Sequence, residues 1–186
     1  MAVILASQSP RRKELMQLLE IPFVVRVADV EETLEQGLPP VEQVAQISRR
    51  KAEAVAHTLQ DVVIGADTVV VYGDAILGKP TDEADAARML NMLSGKTHQV
   101  MTGLTVLHQG RIISETVVTE VTFRMLSETE IIRYIATKEP MDKAGSYGIQ
   151  GGAARFVEHI QGDYYNVVGL PVCRLNQILS QLMEDK

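Results

Sequence analysis

The chain holds a single cysteine, Cys173, in 186 residues. It can therefore form neither an intrachain disulfide nor a cysteine-based zinc site, a usage that suits a reducing cytosol. No apolar run reaches the ~20 residues a membrane span needs, and the start Met1-Ala2-Val3-Ile4-Leu5 lacks the basic stretch of a secretory leader. A cytoplasmic location with no membrane partner is expected. Long basic runs are also missing. With 18 Lys+Arg against 24 Asp+Glu the formal net charge is −6, so nucleic acid is excluded as a partner, and any polyanionic ligand must be held by a local cluster of cations against the global field. There is no Gly-x-x-x-x-Gly-Lys-Ser/Thr phosphate loop, and His57, His98, His108 and His159 show no metal-ligand spacing. Internal repeats, low-complexity tracts and linkers are lacking too, so residues 1–186 are expected to form a single domain. Cys173 follows Leu170-Pro171 among apolar neighbours and is expected to be a buried structural thiol.

What is present starts at the N terminus. Ala2 to Ala6 reads as a short buried strand. Ser9-Pro10 then reads as an N-cap with proline at the first helical position, and Leu15, Leu18 and Leu19 continue at helical spacing as a core face. Arg11 and Arg12 fall in the first turn, where the helix dipole favours acidic residues. Two arginines there suit a bound anion, with the Ser7 hydroxyl, backbone N–H groups and guanidinium forks converging on phosphate oxygens. Taken alone, the segment is explained nearly as well by a capped helix with two solvated arginines.

Further along, residues 23–28 read as extended and are followed by an acidic loop at Asp29, Glu31 and Glu32. A long helix is expected from Pro39-Pro40 to about Leu59. The β-branched run from Val62 to Val71 predicts a strand buried on both faces, turned at Tyr72-Gly73-Asp74-Ala75 into a hairpin that ends at Gly78-Lys79-Pro80. A helix capped by Thr81 or Asp82 buries Leu90 and Leu93 and stops at Gly95. Strands over 98–108 and 111–126 are joined at Gln109-Gly110, and Ser127-Glu128-Thr129-Glu130 is a capping box for a helix to about Thr137. A glycine-rich loop and a final helix from Pro171 close the chain. Parallel βα units early and antiparallel hairpins later predict an α/β fold with a mixed central sheet flanked by helices.

Two charges sit where charges are costly. Asp67 interrupts an apolar strand, and a buried lone carboxylate needs a cation, a metal or hydrogen-bond donors. Lys51 falls within the apolar helical stripe of Val44, Ile47, Ser48, Ala52, Val55 and Leu59. It either snorkels to water or points into a cleft to meet phosphate or pair with Asp67. Lys79, fixed between glycine and proline, joins Arg11, Arg12 and Lys51 as a candidate phosphate contact. Glu31 and Glu32 offer carboxylates of the kind Mg²⁺ takes together with phosphate oxygens. The segment from Asp142 to Gly152 combines close backbone approach with amide and hydroxyl groups that can read a base edge, although its composition equally suits a generic glycine-rich loop.

These motifs occur in order: Ser7-Gln8-Ser9-Pro10-Arg11-Arg12, Glu31-Glu32, Arg50-Lys51-Ala52, Gly65-Ala66-Asp67-Thr68, Gly78-Lys79-Pro80, Leu93-Ser94-Gly95, and Asp142-Lys143-Ala144-Gly145-Ser146-Tyr147-Gly148-Ile149-Gln150-Gly151. Together they closely resemble the Maf family of nucleotide pyrophosphatases over nearly the whole chain. The resemblance implies an α/β fold shared with inosine triphosphate pyrophosphatases, with two lobes and a cleft. It implies hydrolysis of a nucleoside triphosphate to the monophosphate and pyrophosphate with a divalent cation, Mg²⁺ or Mn²⁺. Asp67 matches the family's proton acceptor, while Ser7, Arg12, Glu32, Lys51 and Lys79 match its phosphate- and metal-handling positions. Whether Asp67 acts as base or as metal ligand stays open at this stage. Arg11, Thr68 and Gln150 match the positions that set base choice and look like the branch acting on dTTP and UTP, which implies removal of excess or modified pyrimidine nucleotides. Two alternatives are a branch acting on other modified nucleotides such as 7-methyl-GTP, and a nucleotide-binding regulator of septum formation. A homodimer is plausible from family behaviour.

Overall fold

The computed structural model of the chain describes residues 2–31 and 37–184. Seven strands form one sheet: β1 (Val3–Ala6), β2 (Phe23–Val25), β3 (Val62–Tyr72), β4 (Ala75–Leu77), β5 (Thr97–His108), β6 (Arg111–Phe123) and β7 (Val157–Gln161). Their order is β2-β1-β3-β5-β6-β7, with β4 paired to β3. β1 runs parallel to both β2 and β3, while β3–β4 and β6–β7 are antiparallel, so the sheet is mixed as the sequence predicts. The described residues also form six α-helices: α1 (Pro10–Gln17), α2 (Pro40–Val55), α3 (Glu83–Leu93), α4 (Glu128–Ala136), α5 (Tyr164–Val168) and α6 (Val172–Glu184).

The chain divides into two compact units. The first comprises Met1–Asp67, Thr102–Val117 and Gly169–Lys186, the second Thr68–Met101 and Val118–Val168. In the first, Ile4, Ala6 and Val63 of the sheet pack against Ala52 and Val55 of α2. Glycine sets how closely that helix approaches. A Cβ at Gly65 of β3 would lie 2.1 Å from the Ser48 carbonyl oxygen, and one at Gly103 of β5 would lie 2.1 Å from the Val44 carbonyl oxygen. The backbone of α2 therefore rests directly on the sheet. Ser48 is buried there and shares a 2.7 Å hydrogen bond with Thr105, whose hydroxyl also meets Ser114 at 2.9 Å.

In the second unit, Ala86, Met89, Leu90 and Leu93 of α3 and Ile131, Tyr134 and Ile135 of α4 are buried. Asp82 is the N-cap of α3, and Ser127 with Glu130 closes the capping box of α4. The same unit holds an edge-to-face aromatic cluster. Phe123 touches His98, Tyr147 and Phe156, and Phe156 touches Tyr134. The turn from β5 to β6 carries Gln109 at φ 51° and Gly110 at φ 77°, the paired positive values of a type I′ hairpin.

Several boundaries differ from the periodic reading. α1 ends at Gln17 and the chain turns through Glu20 at φ 55°, so Leu15 and Met16 form its buried side while Leu18 is 55% exposed. α2 stops at Val55 because Ala56 is extended, which leaves Leu59 outside the helix and exposed. Cys173 is exposed, not buried. It lies off the stripe of Leu175, Ile178, Leu179 and Leu182 by which α6 meets the core. The short helix α5 carries no apolar period long enough to mark it in the sequence.

Candidate active site

β1 is followed by α1 and then by β2 on one side, whereas β3 pairs with β1 on the other. The connections leaving these parallel strands thus diverge at the β1–β3 boundary. Such a switch point leaves a crevice outside the carboxyl ends of the strands, where open α/β sheets bind their ligands. The register pairs Ala6 with Gly65, so Ser7 leaves β1 there while β3 runs on to Asp67. Of the sequence-predicted residues of the first unit, Ser7 meets Arg12 just after β1, and Lys51 meets Asp67 on β3.

Ser7 is buried, and its hydroxyl accepts from the Ser9 N–H at 3.3 Å and from Arg12 Nη1 at 3.2 Å. Ser9 caps α1 by accepting from the Arg12 N–H, with Pro10 at the first helical position. Arg12 Nε donates to the Gly169 carbonyl at 2.8 Å. The guanidinium is therefore oriented from two sides, by the loop after β1 and by a residue far along the chain. Nothing in the local sequence marks Gly169 as that second anchor. Arg11 is half-buried in the first turn, and α1 carries no acidic residue of its own there, where the helix dipole favours negative charge.

Lys51 and Asp67 meet. Lys51 Nζ donates to Asp67 Oδ1 at 2.7 Å, and each side chain is only 13% exposed. The contact follows from the packing of α2: Ser48 and Ala52 sit over Gly65, and Lys51, one position off that line, reaches β3 two residues beyond the glycine. Asp67 thus lies within a strand and takes a side-chain cation, in place of the backbone amides available to an aspartate at a strand end. No other hydrogen bond to Asp67 is made by the described residues, so its second carboxylate oxygen is open to a cation or a water.

Among the described residues no group of three or more His, Cys, Asp or Glu side chains could hold a metal. A single open carboxylate is nevertheless the donor expected for a hard cation that takes one or two protein carboxylates and draws its remaining ligands from phosphate oxygens and water. The donor set therefore fits Mg²⁺ or Mn²⁺ arriving with a phosphate substrate. Glu31 is exposed, and Glu32 lies outside the described residues.

In the second unit, Thr68 is half-buried on β3, directly after Asp67, and Lys79 and Gln150 are exposed. Gly78, next to Lys79, accepts the Gly145 N–H at 3.0 Å and so ties the end of the β3–β4 hairpin to the glycine-rich segment. The glycines of that segment have internal causes. Gly145 has φ +67° and its Cβ would lie 2.8 Å from Val70; a Cβ at Gly148 would meet Lys143 at 2.6 Å, and one at Gly151 would meet Glu139 at 2.1 Å. The close approach is to the protein's own side chains, leaving Gln150 as the exposed side chain that can address a ligand. His98, buried at 2% exposure, bonds Tyr147 at 2.8 Å, and desolvation lowers its pKa from 6.5 to about 4, so it is a neutral packing residue.

A sequence model of Maf-like proteins matches residues 2–182. The chain is 55% identical over 179 residues to the dTTP/UTP pyrophosphatase of Bacillus cytotoxicus, covering 96% of this chain and 94% of that one. It is 53% identical over 185 residues to the dTTP/UTP pyrophosphatase of Bacillus mycoides, covering 98% and 96%. Among solved structures it is similar to the Ham1 protein of Staphylococcus aureus, with a TM-score of 0.53 and 15% identity over 97% of this chain and 99% of that one, a likeness of fold. No helix among the described residues is long and apolar enough to cross a membrane.

Proposed function

The chain belongs to the family of Maf-like proteins, and from that premise we propose that it is a nucleoside triphosphate pyrophosphatase converting dTTP and UTP to the monophosphate and pyrophosphate. Relatives at 53–55% identity over nearly the full length carry that activity in their names. The observation that carries the reading is the Lys51–Asp67 pair on β3, together with the Ser7–Arg12 contact at the carboxyl end of its neighbour β1. A carboxylate, two oriented cations and a hydroxyl around one edge are what hydrolysis of a phosphoanhydride requires.

Arg12, oriented by Ser7 and Gly169, supplies positive charge to phosphate oxygens, and Arg11 and Lys79 add to it against the net −6 of the chain. Water attacks phosphorus as Asp67 takes its proton; the new P–O bond forms while the α–β bridging bond breaks, and the electron pair leaves with pyrophosphate. Lys51 fixes the carboxylate that receives the proton and balances its charge. A divalent cation, held by Asp67 and Glu32 together with the substrate's phosphates, would spread the charge that develops on the leaving group. Thr68 and Gln150 offer a donor and an acceptor to a pyrimidine edge, with Arg11 beside the phosphates as the third selective residue. An unmatched polar pair discriminates strongly against the wrong base. One cysteine and the lack of a spanning helix among the described residues fit a cytoplasmic enzyme acting on the nucleotide pool.

The test is a panel of nucleoside triphosphates assayed for pyrophosphate with Mg²⁺ and with Mn²⁺. dTTP and UTP are expected to turn over fastest. Faster turnover of 7-methyl-GTP or ITP would overturn the substrate assignment, and nucleotide binding without product would overturn the enzyme.

A further inference from the structure

Gln150 is exposed on a loop whose backbone is fastened on both sides by a single carboxylate–phenol pair. Two residues before it, the Gly148 N–H donates to the Tyr134 hydroxyl oxygen at 3.1 Å. Two residues after it, the Gly152 N–H donates to both oxygens of Glu139, at 3.1 and 2.9 Å. The Tyr134 hydroxyl in turn donates to Glu139 Oε1 at 2.9 Å, which joins the two clamps. The pair is itself rigidly placed. Tyr134 is fully buried with its ring against Phe156, and the main-chain carbonyl of Glu139 accepts from Lys143 Nζ at 2.6 Å.

Gly151 completes the arrangement. Its φ is −109°, outside the left-handed region, so no positive φ requires glycine there. A Cβ there would stand 2.1 Å from Glu139 Oε1, so a side chain at 151 would push the carboxylate away from the Gly152 N–H and the Tyr134 hydroxyl. The carboxylate thus occupies the volume that any other residue at 151 would need, and loop and carboxylate are built as one unit.

We propose that Glu139 is a positioning residue for base selection: with Tyr134 it holds the Gly148–Gly152 backbone so that the Gln150 side chain is presented in one place. The role rests on the pyrimidine pyrophosphatase reading above and extends it to a residue that reaches the substrate only through Gln150. Misplacing a selective group by about 1 Å costs up to roughly a hundredfold in rate, which sets the scale of the loss expected when one of the two clamps is released.

The experiment measures kcat and KM for dTTP, UTP and the purine triphosphates in wild type, E139A, E139Q, G151A and Q150A, and in the doubles E139A/Q150A and G151A/Q150A. E139A and G151A, which disturb the latch from opposite sides, are expected to lower kcat/KM for dTTP by about ten- to a hundredfold and to narrow the preference for pyrimidines over purines. E139Q, which retains one acceptor oxygen, falls between them and wild type. In either latch variant, adding Q150A costs nothing further, because Gln150 is already misplaced. A Q150A penalty of full size in both backgrounds, or equal losses on purines and pyrimidines, overturns the role. Should E139A not fold, E139Q and G151A decide the question by the same comparison. A wild-type protein that releases no pyrophosphate from any nucleotide overturns the functional reading and this role together, whereas an active wild type with additive doubles overturns the latch alone.

Discussion

Asp67 and Lys51 are each nearly buried and each other's counter-ion, and this ties stability to function at the scale of one residue. Removing the lysine alone strands the carboxylate. Lys51→Met is expected to lower stability by about 2–3 kcal/mol, less than for a fully buried pair because some exposure remains, and to reduce pyrophosphate release. Removing both charges should separate the two effects. Lys51→Met/Asp67→Asn leaves neither partner stranded, so its denaturation midpoint recovers toward wild type while its activity stays lost. A double variant less stable than Lys51→Met alone would show that the pair is not the coupling assumed. Both residues are legible in the sequence for the same reason: each is a charge placed where its neighbours demand an apolar side chain. Glu139 is not. It stands between Lys138 and Pro140 with no periodic context, and its partners Tyr134, Gly148 and Gly152 reach it only through tertiary structure. The nearby glycines invite a reading as a ligand cradle, whereas it is the protein's own side chains that approach them.

Among the elements, α2 is the one on which the site depends most. Its closeness to β3 is limited by the absent side chain at Gly65, where a Cβ would lie 2.1 Å from the Ser48 carbonyl. Gly65→Ala is expected to push the helix off the sheet, cost about 1–3 kcal/mol as an overpacked contact, and draw Lys51 away from Asp67, so that the melting temperature and kcat fall together. Gly78→Ala, where a Cβ meets nothing within 4 Å and φ is not positive, should leave the melting temperature unchanged. If the two variants melt alike, glycine is not what seats α2. The existence, order and caps of the main elements follow from period and punctuation, including the Ser9-Pro10 start, the Asp82 cap and the Ser127–Glu130 box. Ends without such signals are misread. Leu18 and Leu59 extend the apolar period on paper, but α1 is already capped at Leu18, ahead of the turn at Glu20, and α2 has ended at Ala56. The exposure of Cys173 shows the same limit, since apolar neighbours in sequence need not be neighbours in space.

For the whole molecule, the most direct consequence of burial is how stability changes with acid. His98 sits in the aromatic cluster with its pKa lowered from 6.5 to about 4 by desolvation. The unfolded chain binds a proton below about 6.5 whereas the folded chain does so only near 4, so unfolding takes up a proton within that window. Stability is complete above it and falls as pH drops through it, by about 3 kcal/mol in all if this group acts alone. Urea midpoints measured across this range should show the slope, and His98→Gln, which cannot titrate, should flatten it. An unchanged slope in that variant would assign the acid sensitivity to other groups. Glu130, held at about 2 chiefly by the Arg124 side chain, adds a further loss at lower pH, as protonation overtakes its 4.5 unfolded value. The His98 effect therefore dominates the upper part of an acid titration and the Glu130 effect the lower, the two meeting between about 4 and 4.5.

The account turns on Asp67 as the group that takes the proton from water. Purified wild type and Asp67→Asn, shown to be folded by matching circular dichroism, are incubated with dTTP and the divalent cation, and the products are separated. Wild type should yield dTMP and pyrophosphate in equal amounts, and the variant should lose about a hundredfold or more of that rate. Pyrophosphate release by Asp67→Asn within a few-fold of wild type, or formation of dTDP and phosphate by wild type, would contradict it.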